Sequence, residues 1–118
     1  MDRPLTYDEA RIMCAGVDSH LAVPRTETEN QCAIAAAADR KLWLGVTEVV
    51  GDEGHYVGED ACGDVKGFWA STQPDVGGDE HRIVLTPSGN LPGWHDYSEK
   101  REMYPLCQLA LSYRPQCE

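Results

Sequence analysis

Gln73-Pro74-Asp75-Val76-Gly77-Gly78-Asp79-Glu80, followed downstream by Trp94-His95-Asp96, is the stretch on which the reading of this chain turns. Proline and two glycines shape a loop whose side chains carry oxygen at Gln73, Asp75 and Glu80. Asp96 adds another carboxylate from a short segment further on. Hard cations such as calcium take several oxygen ligands from flexible loops, so the grouping suits calcium. A Gln-Pro-Asp triplet alone is usually just a turn. The ordered set is what carries information.

Outward from that stretch, residues Gly51 to Gly78 are dense in glycine, aspartate and other turn formers. A long irregular stretch inside a small domain is often functional. Near the start, Thr6 with Glu9 reads as a capping box, which predicts a helix over 7–16 with Ala10, Met13 and Cys14 on its inner face. Thr26 with Glu29 reads as a second box. The alanine-rich run Gln31 to Asp39 then predicts a second helix, with Ile34, Ala35 and Ala38 at helical spacing. Leu42 to Val46 reads as a buried strand and Arg82 to Leu85 as an alternating one. Pro87-Ser88-Gly89-Asn90 is a turn, and Pro105 to Ser112 a last strand. Two early helices, then strands and a long loop, predict an α+β fold. The 118 residues fit one domain, 1–118.

Formal net charge is -10, which repels phosphate backbones and anionic lipid. Nucleic acid and direct membrane insertion are therefore not expected, and no apolar run is long enough to span a bilayer. The acidity serves solubility, or marks carboxylates crowded to await a cation. No leader is visible behind Met1-Asp2-Arg3. Five cysteines in so short a chain point to an oxidising compartment, hence a secreted or extracellular domain. They form no CxxC pair and no zinc-finger spacing, so structural zinc is not expected. Five is odd, which leaves a thiol free or paired with another chain. There is no nucleophile elbow, no HExxH and no glycine-rich phosphate loop, so an enzyme is not expected.

More strings precede and follow the loop in a fixed order. Thr6-Tyr7-Asp8-Glu9-Ala10 leads to Cys14. His20-Leu21-Ala22-Val23-Pro24, Glu29, Trp43-Leu44-Gly45 and Trp69 follow, and Cys107 lies near the end. In order and spacing the chain resembles the C-type lectin domain over about residues 3 to 108. The resemblance implies two helices flanking small antiparallel sheets, with the ligand carried by the long loop region. It implies a disulfide between Cys14 and Cys107, which on the chain-entropy account stabilises the fold by about 4–5 kcal/mol. It implies a calcium ion held by Gln73, Asp75, Glu80 and Asp96, with Asp79 competing for the place of Glu80. Neighbouring sugar hydroxyls would replace water on that ion and bond to the same side chains. The carbohydrate-binding set so implied is Gln73, Asp75, Glu80, His95, Asp96 and Tyr97. In the family Gln-Pro-Asp goes with galactose-type sugars, so glycans ending in galactose or N-acetylgalactosamine are the expected partners.

The chain also departs from that pattern. Many galactose binders place a tryptophan soon after the motif; here Val76, Gly77 and Gly78 follow, leaving Tyr97 or His81 to stack on a sugar. His95 stands where calcium-binding members usually have asparagine, and imidazole is a poor partner for calcium. Water or a sugar hydroxyl is expected to fill that gap. A loop with vestigial acids, or a transition metal on His95, His81 and Glu80, are the alternatives. The family's second loop bridge has no cysteines here, since His81, Arg82 and Tyr97 to Met103 supply none; a bound cation is expected to substitute for it. Cys32 is expected to pair with Cys117, leaving Cys62 free or linked to another chain. Few residues precede Thr6, so either the chain is trimmed before the family's first strand or the tail Ser112 to Glu118 does part of that strand's work. Trp43, Trp69 and Trp94 are expected to be structural, and His20 a packing residue. His55 and Tyr56 have no assigned role.

The function so predicted is calcium-dependent binding of galactose-type glycans. Two other readings stay open: a calcium-independent lectin-like domain that binds a protein partner, and a structural subunit linked through Cys62 or Cys117. A single weak sugar site works better in several copies, which favours a homo-oligomer.

Overall fold

The computed structural model describes residues 3–49, 51–52, 55–60, 62–70, 82–87, 92–98 and 100–109. Gln73, Asp75, Asp79, Glu80 and His81, part of the 87–90 turn, and the tail Ser112 to Glu118 lie outside them.

Both predicted helices form where their caps place them. Thr6 accepts from the amide of Glu9, and the Glu9 carboxylate accepts from the amide of Thr6, a complete capping box that opens α1 (Tyr7–Ala15). That backbone contact holds the exposed Glu9 carboxyl below its ordinary range. Tyr7, Ala10 and Cys14 form its buried stripe. Met13 is 38% exposed, contrary to expectation, because it is rotated off the line through Tyr7, Ala10 and Cys14. In α2 (Glu27–Ala37) only half a box forms. Thr26 accepts from Glu29, but Glu29 turns back to the amide of Arg25. The helix therefore starts four residues before Gln31. It buries Asn30, Ala33 and Ala37, with Ile34 packed alongside. Ala35 and Ala38 are exposed instead. Ala38 adopts a left-handed conformation (φ 50°) as the C-cap and so ends the stripe rather than extending it.

Among the described residues the strands, in sequence order, are β1 (Ser19–Leu21), β2 (Leu42–Glu48), β3 (Tyr56–Gly58), β4 (Arg82–Thr86), β5 (Gly93–Tyr97), β6 (Tyr104–Pro105) and β7 (Cys107–Leu109). The larger sheet runs β3-β2-β4-β5, all antiparallel, with β6 parallel against β2. β1 and β7 make a separate antiparallel pair. The single last strand expected from Pro105 is thus split between two sheets. A bridge between Leu5 and Met103 ties the start of the chain down.

β2 and β4 are buried on both faces. Leu42, Leu44, Val46, Ile83 and Leu85 face α2 and the long loop, meeting Ala33, Ala37, Tyr56, Val65 and Trp94. Trp43 and Val84 face the other way, into Leu5, Tyr7, Ala10, Cys14, Leu21 and Met103. Alternation along one strand thus feeds two cores. Each buried leucine contributes about 2 kcal/mol. Gly45 completes Trp43-Leu44-Gly45 for a steric reason: a Cβ there would lie 2.4 Å from the Leu21 carbonyl oxygen. The chain after β1 crosses β2 at this point, and Gly45 bonds to Ala22 on one side and Glu59 on the other.

Cys14 and Cys107 are joined, linking α1 to β7. The other expected pairing is corrected. Cys32 is a free thiol on the exposed side of α2, and Cys62 is disulfide-bonded rather than free.

Candidate functional site

β5 organises the region around the predicted ligands. Strand alternation turns Trp94 and Asp96 inward and leaves His95 and Tyr97 half-exposed on the outer face. The His95 and Tyr97 rings stack there with centroids 6.0 Å apart. The structure therefore does not bring His95 or Tyr97 onto the face that holds Asp96. Consecutive residues that look like one cluster in sequence are split by the two-residue period of a strand.

Trp94 is fully buried, and its indole N–H donates to the Asn30 side chain at 2.9 Å. Phe68 and Trp69 each meet the Trp94 ring edge-on, with centroids 5.7 Å away. The backbones join as well: the Trp94 amide donates to the Phe68 carbonyl at 2.9 Å, and the Ala70 amide to the Trp94 carbonyl at 3.0 Å. Gly93 permits this approach. It sits at φ +124°, and a Cβ on it would lie 2.8 Å from the Ala70 nitrogen. On the opposite edge of β5, Arg82 pairs with Tyr97 and Ile83 with Asp96. Ala70 thus sits beside Trp94, and Arg82 beside Tyr97. Asp96, only 3% exposed, lies between these two anchor points. Among the described residues no group of three or more His, Cys, Asp or Glu side chains is arranged to hold a metal ion.

The loop region also rests on ionic contacts near its base. Arg25 forks onto Asp60, with N–O distances of 2.8 and 2.7 Å, and reaches the carbonyls of Gly63 and Asp64. Burial pulls the Asp60 carboxyl upward, but Arg25 and the Cys62 amide outweigh it and hold it below the usual range. His55 lies between Asp64 at 2.6 Å and Asp52 at 2.9 Å, and these contacts raise its pKa. Tyr56, beside it, packs in the core against Trp69.

A cleft of about 520 Å³ opens between α1, β1 and β4 on the other side of the sheet. Glu59 lines it, accepting a hydrogen bond from the Tyr7 hydroxyl, and Arg82 lies over the Tyr7 ring at 4.3 Å. Burial pushes the Glu59 carboxyl up to about 7, against the opposing pull of Arg82 and the Leu21 amide. His20 donates from Nδ1 to the Leu21 carbonyl at 2.7 Å, consistent with a packing role.

Sequence reasoning missed Asn30, Arg25, Glu59 and His55. Asn30 left a signal, being a polar residue three positions before Ala33 on an apolar stripe. Arg25 and Glu59 act through partners far away in sequence and left none, while His55 meets Asp52 three residues back and Asp64 nine residues on.

No family model matches the chain. A human protein, C-type lectin domain family 17, member A, is 29% identical over 108 residues, covering 91% of this chain. The chain spans only 28% of that relative's length. The mouse scavenger receptor C-type lectin carbohydrate-recognition domain superposes with a TM-score of 0.80 at 20% identity, over 98% of this chain and 88% of its own. A Ca2+-dependent type II antifreeze protein, in its Ca2+-free form, matches with a TM-score of 0.80 at 17% identity, over 89% and 84% of the two chains. The chain has the C-type lectin fold.

Proposed function

We propose that this domain, residues 1–118, binds glycans ending in galactose or N-acetylgalactosamine through a calcium ion, outside the cell. The observation that carries the reading is the anchoring of both ends of segment 71–81 on β5, around the buried Asp96. Gln73 is three residues from Ala70, and Glu80 is two from Arg82. At no more than about 3.5 Å per residue, covalent length keeps both near β5. Gln73, Asp75, Glu80 and Asp96 then offer the oxygen donors that calcium prefers. Two adjacent sugar hydroxyls complete the ion's shell, and the same side chains bond those hydroxyls. His95 supplies no oxygen, so water or a hydroxyl takes its place on the ion. The free thiol of Cys32 leaves a route to covalent oligomers, in which weak single sites gain by multivalency. The carbohydrate-recognition domain among the structural neighbours supports a sugar ligand, and the Ca2+-dependent antifreeze protein supports a cation.

A glycan array run with calcium and again with chelator tests this. Signal on terminal galactose or N-acetylgalactosamine that disappears with chelator is the expected result. Signal on mannose or fucose keeps the calcium mechanism and removes the galactose assignment. A blank array in both runs overturns the reading in favour of a calcium-independent protein partner.

A further inference from the structure

The outer face of β5 gathers positive charge around a single ring. Lys41 places its ammonium 5.5 Å from the centre of the Tyr97 ring and 3.4 Å from its hydroxyl. The Arg101 guanidinium lies 5.0 Å from the same ring, and His95 stacks beside it. Arg40 lies 4.9 Å over the neighbouring Tyr104. The basic residues arrive as two adjacent pairs, Arg40-Lys41 before β2 and Lys100-Arg101 before β6. In a chain with twenty acidic side chains, neither Lys41 nor Arg101 is paired with a carboxylate among the described residues.

The Lys41 and Arg101 charges beside one ring repel one another, and an aromatic face offsets only part of that. An oxyanion offsets much more. It can accept charge-assisted hydrogen bonds from an ammonium and a guanidinium together, and the planar guanidinium fork fits sulfate and carboxylate alike. The rest of this acidic surface repels anions, so the patch is also selective. Its position connects it to the site above. β5 ends the strand path β3-β2-β4-β5, and Tyr97 follows Asp96 directly. A glycan seated near Asp96 can therefore pass over the sheet edge.

We propose that Lys41, Arg101 and Tyr97, with His95 alongside, form an accessory subsite for an oxyanion substituent, sulfate or carboxylate, on the glycan held at the calcium loop. The subsite rests on the carbohydrate reading, but its test is separate. Polymers bearing plain, sulfated or sialylated galactose are compared on the wild type and on a Lys41→Gln, Arg101→Gln double variant, with calcium and with chelator. Two exposed charge contacts predict about tenfold tighter binding of an anionic polymer than of the plain one. The double variant removes that gain and leaves plain galactose binding unchanged. A gain with only the sulfated or only the sialylated polymer upholds the subsite and names its anion. Equal binding of all three to the wild type overturns it, as does a gain that survives in the double variant. Failure of plain galactose to bind with calcium defeats the carbohydrate reading alone. In that event the anionic polymers in chelator still read the patch: binding lost in the double variant upholds it, and no binding overturns it.

Discussion

Single polar side chains at buried positions set the geometry around β5. Asn30 accepts from the buried Trp94 indole, and no water reaches that N–H. Asn30→Ala orphans the donor and is expected to cost about 2 kcal/mol in urea unfolding; an unchanged midpoint would show that the bond does not hold Trp94. Glu59 acts through charge. Burial lifts its pKa in the folded state to about 7, above the ordinary carboxylate value of 4.5, so the native state favours the protonated form. Its stabilising contribution is complete below pH 4.5 and is lost as pH rises through 7, by about 1–2 kcal/mol once partial exposure is allowed for. His55, raised by Asp64 and Asp52, changes stability in the same direction, so the slope of the wild type alone does not isolate Glu59. Glu59→Gln does. Relative to the wild type it should gain stability at pH 8 and not at pH 4, measured by urea midpoint. An identical pH dependence in the two proteins would mean that Glu59 is effectively solvated.

At the level of elements, β5 is the strand on which the loop depends. Gly93→Ala forces a Cβ to within 2.8 Å of the Ala70 backbone at a φ that alanine avoids. We expect a loss of about 2 kcal/mol or more, together with weaker calcium-dependent sugar binding, because the departure point of segment 71–81 is displaced. Normal sugar affinity in a destabilised Gly93→Ala protein would separate the loop anchor from the site. The same strand shows what sequence can and cannot disclose. The helices were legible because caps act locally: Thr6 and Glu9 meet three residues apart. Their inner faces were less so, since Met13 and Ala35 are as apolar as the residues that are buried. β2 announced itself as a buried run, and β4 reads as an alternating strand although Ile83, Val84 and Leu85 are all buried. β1, β3 and β5 did not announce themselves, because each is short and acquires its strand character from a distant partner such as Leu109, Val46 or Ile83. The candidate ligands were legible as residue types in an order. The division of Asp96 from His95 and Tyr97 was hidden, because it follows from the pleat of a strand that sequence did not reveal.

For the whole molecule, two disulfides hold an irregular loop region against a small core, and a calcium ion bound as proposed above would share that task. The Cys14–Cys107 bond closes most of the chain, and Cys62 ties the loop region into a second bond. Segment 71–81 contains no cysteine, and it is there that the proposed calcium ion would bind. A ligand that binds only the folded state stabilises it by mass action, by about 2.7 kcal/mol at a hundredfold excess over Kd. In a domain of this size that amounts to a rise in Tm of about 10 °C. Asp75→Asn keeps the shape of the side chain but removes a charged donor, so the rise should largely vanish while the calcium-free Tm stays where it was. A calcium-induced rise that persists in Asp75→Asn would place the ion elsewhere on the domain. Identical melting of the wild type with calcium and with chelator would remove the ion from the account altogether, and with it the proposed role of Gln73, Asp75, Glu80 and Asp96.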